Sequence, residues 1–418
     1  MASEIYSVLI GGKAGEGVKK AAQVIAHIAM TCGKHVFQED DYQSLIKGGH
    51  NFSIVSISDD VLYNSYKNPD LIISFDDRSI RTHSAKLKPG GLHICNGDDA
   101  ASAEASALKL PLSSLMKSVY GEAGNVSLAA IAVFCALWSI PEEALSELIG
   151  REFKRNQEEN RAFAYQVYLL AKELLPQSPD SCQMLPTSAN LYSGNQLIAS
   201  GAWVAGLDLY FSYPMTPASS ILHYLALKRE SHKVFAIHVE SELAAANMAI
   251  GAVFAGKRAA VGSSGGGFAL MQEAFSLAGM VEAPLLCFLS SRPGPATGVS
   301  TYTAQEDLFF ALNQGHGEFT RIVASPDSFE RAFTLSAELL DLAWEVQTPA
   351  ILLTEKHLSE SAADIVLSDV DFPQEPSLPL PYPGEYKRYA ITDNGISPLK
   401  SPGHAHSGGG HQHVSAHG

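Results

Sequence analysis

Three side chains in the second half of the chain are of types and in settings suited to binding and proton chemistry. Thr216 stands between two prolines in YPMTPASS (213–220), so its hydroxyl is held at a defined place on a loop. Arg292 stands in SSRPGPATGVSTYTAQEDL (290–308), a loop stiffened by Pro293 and Pro295. Arginine is the side chain suited to bidentate recognition of a carboxylate, although a lone arginine also serves as a surface or ion-pair residue. Glu242 stands in FAIHVESELAAANMAIGAVFAG (235–256), directly before a run of small apolar residues that suggests tight packing. It is either a helix N-terminal residue facing solvent or a buried acid with a task. The first role, favoured by the helix dipole, suits the neighbouring Glu240 better.

Glycine-rich segments accompany these residues. SSGGGFALMQEA (263–274) leaves a strand through Gly265, Gly266 and Gly267 and opens a helix, a composition suited to close backbone approach to a ligand or another subunit. GGKAGEG (11–17) lies between a strand and a helix, where amides could hold a phosphate or simply make a tight connection. Its glycines, Gly12, Gly15 and Gly17, are spaced GxxGxG rather than GxGxxG, and it lacks a P-loop ending. SLIKGGHN (44–51) combines Lys47, Gly48, Gly49, His50 and Asn51 before a strand, as a ligand-approaching loop or an ordinary strand entry. Cys32, Cys95, Cys135, Cys182 and Cys287 are scattered without a CxxC pair, which predicts neither a disulfide framework nor a zinc or iron–sulfur site.

The elements that must position these groups alternate between strand-like and helix-like stretches. IYSVLIGG, NFSIVSIS, LIISF and GLHICN read as strands in the first section, with helices over 18–30 and near 126–139, 142–150 and 158–175. PQSPDSCQMLPTSAN (176–190) reads as a linker. A second alternating block has strands at LYFSY, VFAIHV, AAVGSS, APLLCFLSS, TRIVAS and AILLTE, with Ser219 or Ser220 expected to cap the helix over 220–228. The expected fold class is α/β: two consecutive open, mainly parallel domains, with ligands beyond the carboxyl ends of the strands.

The totals narrow the function. In 418 residues a net charge of −15 argues against nucleic-acid or anionic-membrane binding, because phosphate contacts need basic patches. The longest apolar run, VSLAAIAVFCALWSI (126–140), is shorter than a membrane span. The N-terminus lacks the basic start of a signal peptide, so the expected compartment is the cytoplasm.

YPMTP, the Ser-Glu pair before an alanine-rich helix, GSSGGGFALMQE and SRPGPATGVSTYTAQEDL together resemble the 2-oxoacid:ferredoxin oxidoreductases. More narrowly, the chain resembles an α subunit of the 2-oxoglutarate type with a γ domain, carrying GGKAGEGV and IKGGHNF, fused at its N-terminus. The resemblance implies a γ-type domain over 1–175, the linker at 176–190, a thiamine-pyrimidine-type domain over 191–370 and a tail over 371–418 connecting to a C-terminal domain that this chain lacks. It implies oxidative decarboxylation of a 2-oxoacid, 2-oxoglutarate favoured, to an acyl-coenzyme A, with electrons passed to ferredoxin. Thiamine diphosphate would be shared with a β subunit carrying the magnesium and an iron–sulfur cluster, in an (αβ)2 hetero-oligomer. No metal is assigned to this chain.

By the same resemblance Glu242 hydrogen-bonds the thiamine aminopyrimidine, with Ala244, Ala245, Ala246 and Ala249 as a dry wall. Thr216 bonds a substrate oxygen, Arg292 neutralises its carboxylate, and Gly265 and Gly266 lie against the cofactor. Gly48, Gly49, His50 and Asn51 border the active site or the coenzyme A path. The chain departs from the family pattern in its Ser-Ser-Gly-Gly-Gly turn and in Thr301-Tyr302-Thr303, where a lysine is frequent. Pyruvate, a branched-chain 2-oxoacid, or a truncated non-catalytic binding module are the alternatives. The tail's His404, His406, His411, His413 and His417 read as a flexible segment or a metal site.

Overall fold

The protein is described by a computed structural model over residues 4–43, 49–121, 124–175, 182, 184–369 and 386–399. Two compact units emerge: residues 1–192 with 361–367, and 193–360 with 368–418.

The first unit is built on a mixed sheet of β1 (Tyr6–Lys13), β2 (His35–Asp41), β3 (His50–Ser58), β4 (Leu71–Ser74), β5 (Leu92–Asn96), β6 (Leu108–Leu110) and β7 (Asn190–Ser193). Strands β1, β4, β5 and β6 run parallel, whereas β3 pairs antiparallel with both β1 and β2. The helices are α1 (Val18–Thr31), α2 (Asp77–His83), α3 (Leu112–Tyr120), α4 (Ser127–Leu137), α5 (Glu142–Glu152) and α6 (Gln157–Leu174). Every residue of α4 is buried, because α1 and α6 flank it; a helix with no polar face folds only inside such a core. Strands β2, β6 and β7 and helix α2 are short or weakly patterned and are decided by packing, whereas α3 has an amphipathic pattern of its own.

The second unit is an all-parallel sheet of β8 (Leu209–Ser212), β9 (Phe235–His238), β10 (Ala259–Ser263), β11 (Leu286–Ser291), β12 (Ile322–Ala324) and β13 (Ala350–Glu355), in the order β12-β13-β11-β10-β8-β9. Before the first of them lies α7 (Gly194–Val204), and between and after them lie α8 (Ser219–Leu227), α9 (Arg229–His232), α10 (Glu242–Phe254), α11 (Gly265–Leu270), α12 (Gln272–Met280), α13 (Leu308–Leu312), α14 (Phe329–Val346) and α15 (Lys356–Glu360). From β8 the chain steps to β9 on one side and then to β10 on the other, so the order reverses between β8 and β10. Crevices that take ligands open at such reversals. The chain then returns to the first sheet through β14 (Ala362–Ile365), antiparallel to β2.

Two sequence expectations change. Cys32 and Cys182, expected to be unpaired, form a disulfide across 150 residues. The chain after α6 returns to the end of α1, where the Leu185 amide donates to Thr31 O at 2.7 Å, and this brings the two thiols together. Neither Ser219 nor Ser220 caps α8: its N-cap is Ala218, without a side-chain bond, because the Ser220 hydroxyl accepts from Asn195 instead.

Candidate active site

Glu242 opens α10, and its N-cap Ser241 accepts from the Ala244 amide at 3.2 Å. The carboxylate does not face water. Glu242 is only 4% exposed, and its Oε1 is buried with no hydrogen-bond partner. Glu240, one step before the helix, is exposed. Ala245, Ala246 and Ala249 are wholly buried on the same helix, and their small size lets α10 lie close to β8 and β10. Gly267 completes the cradle. A Cβ there would lie 2.0 Å from Ser263 Oγ and 2.6 Å from Glu242 Oε1, so only glycine leaves the carboxylate in place.

The other sequence candidates converge on this spot by a chain of contacts. Ser263 Oγ approaches Met215 Sδ at 3.8 Å, and Met215 precedes Thr216. The Thr216–Pro217 peptide is cis. Arg292, beyond β11, donates from Nη1 to Thr216 O at 2.7 Å. Among the described residues no carboxylate pairs with Arg292, and partial burial pulls its guanidinium below the ordinary value. A half-buried cation whose partner is a backbone carbonyl is ready to take an anion.

The loop after β11 is held by carboxylates. Glu306 accepts from the Gly294 amide at 2.9 Å, Asp307 from the Ser291 hydroxyl, and Glu355 from the Thr303 hydroxyl. Gly265 gives room to Asp307, since a Cβ would meet its Oδ1 at 2.5 Å; Gly266 faces the Ala296 carbonyl. These glycines sit inside the first turn of α11 rather than in a turn before it. Ser263, Met215, Asp307 and Asn195 belong to the cluster without having been singled out from sequence, where Gly267 was named only as part of the glycine run. Only their three-dimensional neighbours reveal them.

In the first unit the GGKAGEG turn is filled by its own carboxylate. Glu16 accepts from the Lys13 amide at 2.6 Å, lies over Gly12, and has its carboxyl raised by burial. That occupant weakens the phosphate-turn alternative. Lys47 and Gly48 lie outside the described residues. Gly49 O accepts from the Ala14 amide at 2.8 Å. His50 Nε2 lies 2.8 Å from His83 Nε2, and Lys86 Nζ lies 3.2 Å from His83 Nδ1. A lysine ammonium can only donate, so His83 Nδ1 accepts and His83 Nε2–H donates to His50. The His50 proton is left on Nδ1, buried and without a partner, while Asn51 Oδ1 is a second buried atom without one. Burial first, then Lys86, pulls His83 down to about 3, and His50 and His93 are also lowered by burial. His83 and Lys86 carried no sequence signal.

Among the described residues no group of three or more His, Cys, Asp or Glu could hold a metal ion, and no helix is long and apolar enough to cross a membrane.

A buried acid, a carbonyl-anchored arginine and glycine cradles at the order reversal of a parallel sheet define an α/β protein whose candidate site gathers a buried carboxylate and a half-buried guanidinium. Comparison with known proteins gives the family. The description "Pyruvate flavodoxin/ferredoxin oxidoreductase, thiamine diP-bdg" matches residues 200–416, and "Pyruvate ferredoxin/flavodoxin oxidoreductase" matches residues 7–169. The chain belongs to the pyruvate ferredoxin/flavodoxin oxidoreductase family, and within it to the 2-oxoacid:ferredoxin oxidoreductases. It is 28% identical to the 2-oxoacid:ferredoxin oxidoreductase subunit alpha of Sulfolobus sp, over 94% of this chain and 71% of that relative. It is 34% identical to the 2-oxoglutarate synthase subunit KorA of Archaeoglobus fulgidus, over 43% of this chain and 53% of the relative. The fold is similar to the 2-oxoglutarate:ferredoxin oxidoreductase of Magnetococcus marinus, solved with 2-oxoglutarate, coenzyme A and succinyl-CoA bound. The TM-score is 0.86 at 27% identity, covering 96% of this chain and 72% of that one.

Proposed function

We propose that this chain is the α subunit, with a fused γ-type domain, of an oxidoreductase that decarboxylates a 2-oxoacid, 2-oxoglutarate favoured, and passes electrons to ferredoxin. A β partner completes its thiamine site and carries the magnesium and iron–sulfur cluster. The observation that carries this reading is the Glu242 carboxylate, buried, unpartnered at Oε1 and connected through Ser263, Met215 and Thr216 to Arg292. An unmet buried carboxylate oxygen over a glycine fits the aminopyrimidine of thiamine, whose ring presents nitrogens to hydrogen-bond. Thiamine diphosphate, when bound, supplies the nucleophilic carbon on which a 2-oxoacid loses carbon dioxide.

This chain's residues do the rest of what is assigned to it. Glu242 holds and exchanges a proton at Oε1, and the buried alanines exclude water around it. Thr216 donates its hydroxyl to a substrate oxygen. Arg292 pairs the substrate carboxylate while anchored on the Thr216 carbonyl, which couples the two groups into one unit. Relatives named 2-oxoglutarate synthase and a neighbour solved with 2-oxoglutarate favour that substrate. In the first unit, the unmet His50 N–H and Asn51 Oδ1 beside Gly49 would meet polar groups of coenzyme A.

Coexpression with the β subunit, followed by dye reduction with 2-oxoglutarate and with pyruvate, tests this reading. Glu242→Gln, which keeps the shape and removes the exchangeable proton, is expected to lower kcat by about 10²-fold or more. Wild-type activity in that variant would remove Glu242 from the chemistry. No activity in either form would favour a non-catalytic module.

A further inference from the structure

Helix α7 begins with a capping box: Ser193 Oγ accepts from the Gln196 amide, and the Gln196 side chain accepts from the Ser193 amide. Its first residue, Gly194, is pressed against the Leu358 carbonyl, where a Cβ would come within 2.2 Å. The helix start is therefore fixed, and with it the next residue, Asn195. Asn195 is fully buried. Its Nδ2 donates to Pro217 O at 2.8 Å and to Ser220 Oγ at 2.7 Å. A proline carbonyl can only accept, so this contact settles which end of the amide is nitrogen. The remaining atom, Oδ1, is buried without a partner. An asparagine here leaves one acceptor unmet, and its two donors into the 213–220 loop are what it supplies in return.

Those donors land beside the candidate substrate residues. Pro217 O is held by Asn195, and Thr216 O, one residue earlier, is held by Arg292 at 2.7 Å. Two successive carbonyls of one loop are thus pinned by side chains 97 residues apart in the chain (Asn195 and Arg292). We propose that Asn195 is a positioning residue for the anion site: it fixes the Thr216–Pro217 carbonyls, and through them the Arg292 guanidinium and the Thr216 hydroxyl. This inference rests on the reading of Thr216 and Arg292 as substrate residues. Asn195 itself touches no substrate. Without it the loop keeps its prolines but loses the bonds that set its orientation, and Arg292 loses a fixed acceptor.

The test is steady-state kinetics of the full chain assembled with its β partner, for Asn195→Ala, Asn195→Asp, Arg292→Ala and the Asn195→Ala/Arg292→Ala pair, with a melting curve for each. Two variants at 195 are used so that one folded protein suffices. The expected result is a KM for the 2-oxoacid raised about tenfold or more, with kcat within about threefold, for either Asn195 variant. In the double variant KM should rise little beyond that of Arg292→Ala alone, since both changes act on one interaction. An unchanged KM in Asn195→Ala beside a raised KM in Arg292→Ala would overturn the positioning role and leave the site reading intact. Fully multiplicative effects, or loss of kcat and stability together without coupling, would reduce Asn195 to a structural residue. An unchanged KM in Arg292→Ala would instead remove the underlying site.

Discussion

Replacing Gly267 and Gly251 by alanine, one at a time, sets the same chemical change in two environments. Both glycines lie in helices, where alanine is favoured by about 1 kcal/mol. Nothing lies within 4 Å of a Cβ at Gly251. Gly251→Ala should therefore stabilise by about 0.5–1 kcal/mol, raising Tm by roughly 1–4 °C for a unit of this size. At Gly267 the methyl would meet Ser263 Oγ at 2.0 Å and Glu242 Oε1 at 2.6 Å. The serine hydroxyl can rotate away, but the Glu242 carboxylate must retreat by about 0.8 Å to reach ordinary 3.4 Å contact, and it is walled in. Overpacking of this kind costs about 1–3 kcal/mol, which cancels the helix gain and leaves a net loss of up to about 2 kcal/mol. A displacement approaching 1 Å at a reacting group can cost up to about 10² in rate. Thermal and denaturant unfolding of both variants, with dye reduction by the assembled enzyme, would read the contrast. Equal stabilisation by both alanines, with activity retained, would refute the packing of Gly267 on Glu242.

Further outcomes concern the two units separately. His83 is pulled down to about 3 in the folded chain against 6.5 ordinarily, with His50 and His93 lowered in the same direction. The unfolded chain therefore binds more protons, so this contribution to stability is present above pH 6.5 and is lost as pH falls toward 3. Denaturant midpoints at pH 7 and pH 4.5 should differ less in His83→Leu than in the wild type, and an acid-insensitive wild type would contradict the buried neutral pair. The Cys32–Cys182 disulfide closes 150 residues, so reduction should destabilise the first unit by about 2–5 kcal/mol. Mass spectrometry under non-reducing conditions checks the link, and five free thiols would exclude it. Arg258, almost fully buried, pairs with Asp341 at 2.5 Å. Asp341→Ala takes a hydrogen-bonded carboxylate from that buried cation in the second unit and should cost about 3 kcal/mol in denaturant unfolding.

Much of the architecture is legible from local pattern. Branched runs such as LIISF and AILLTE become strands β4 and β13, and the helical spacing of apolar residues near 18–30 and 158–175 becomes α1 and α6. Local pattern is weakest where pairing decides structure. AADI becomes β14 because β2 offers an edge to pair with; its burial alternates strictly, but four residues are too few to announce a strand. The same holds for the short β6 and β7. The disulfide was hidden because spacing along the chain carries no information about two cysteines 150 residues apart.

For the site, the chemically distinctive residues are visible in sequence because proline, glycine, arginine and an acid before small residues each restrict what the backbone can do there. Thr216, Glu242, Arg292 and the glycine run are of that kind. Their convergence is not visible. It follows from the order β13-β11-β10-β8-β9, which places the ends of β8, β10 and β11 side by side and the start of α10 over them. Strand order is set by long-range burial, to which no short segment testifies. The same holds for which glycine meets the acid, since Gly265 makes room for Asp307 and Gly267 for Glu242, a difference set by helical phase. Sequence by itself determined the residue types, the two-block α/β organisation and the family. Tertiary structure alone decided that Glu242 is buried with an unmet oxygen, that Arg292 rests on the Thr216 carbonyl, and that Asn195 holds the same loop from behind. Each of these depends on groups brought together across tens of residues by packing, not on any local preference.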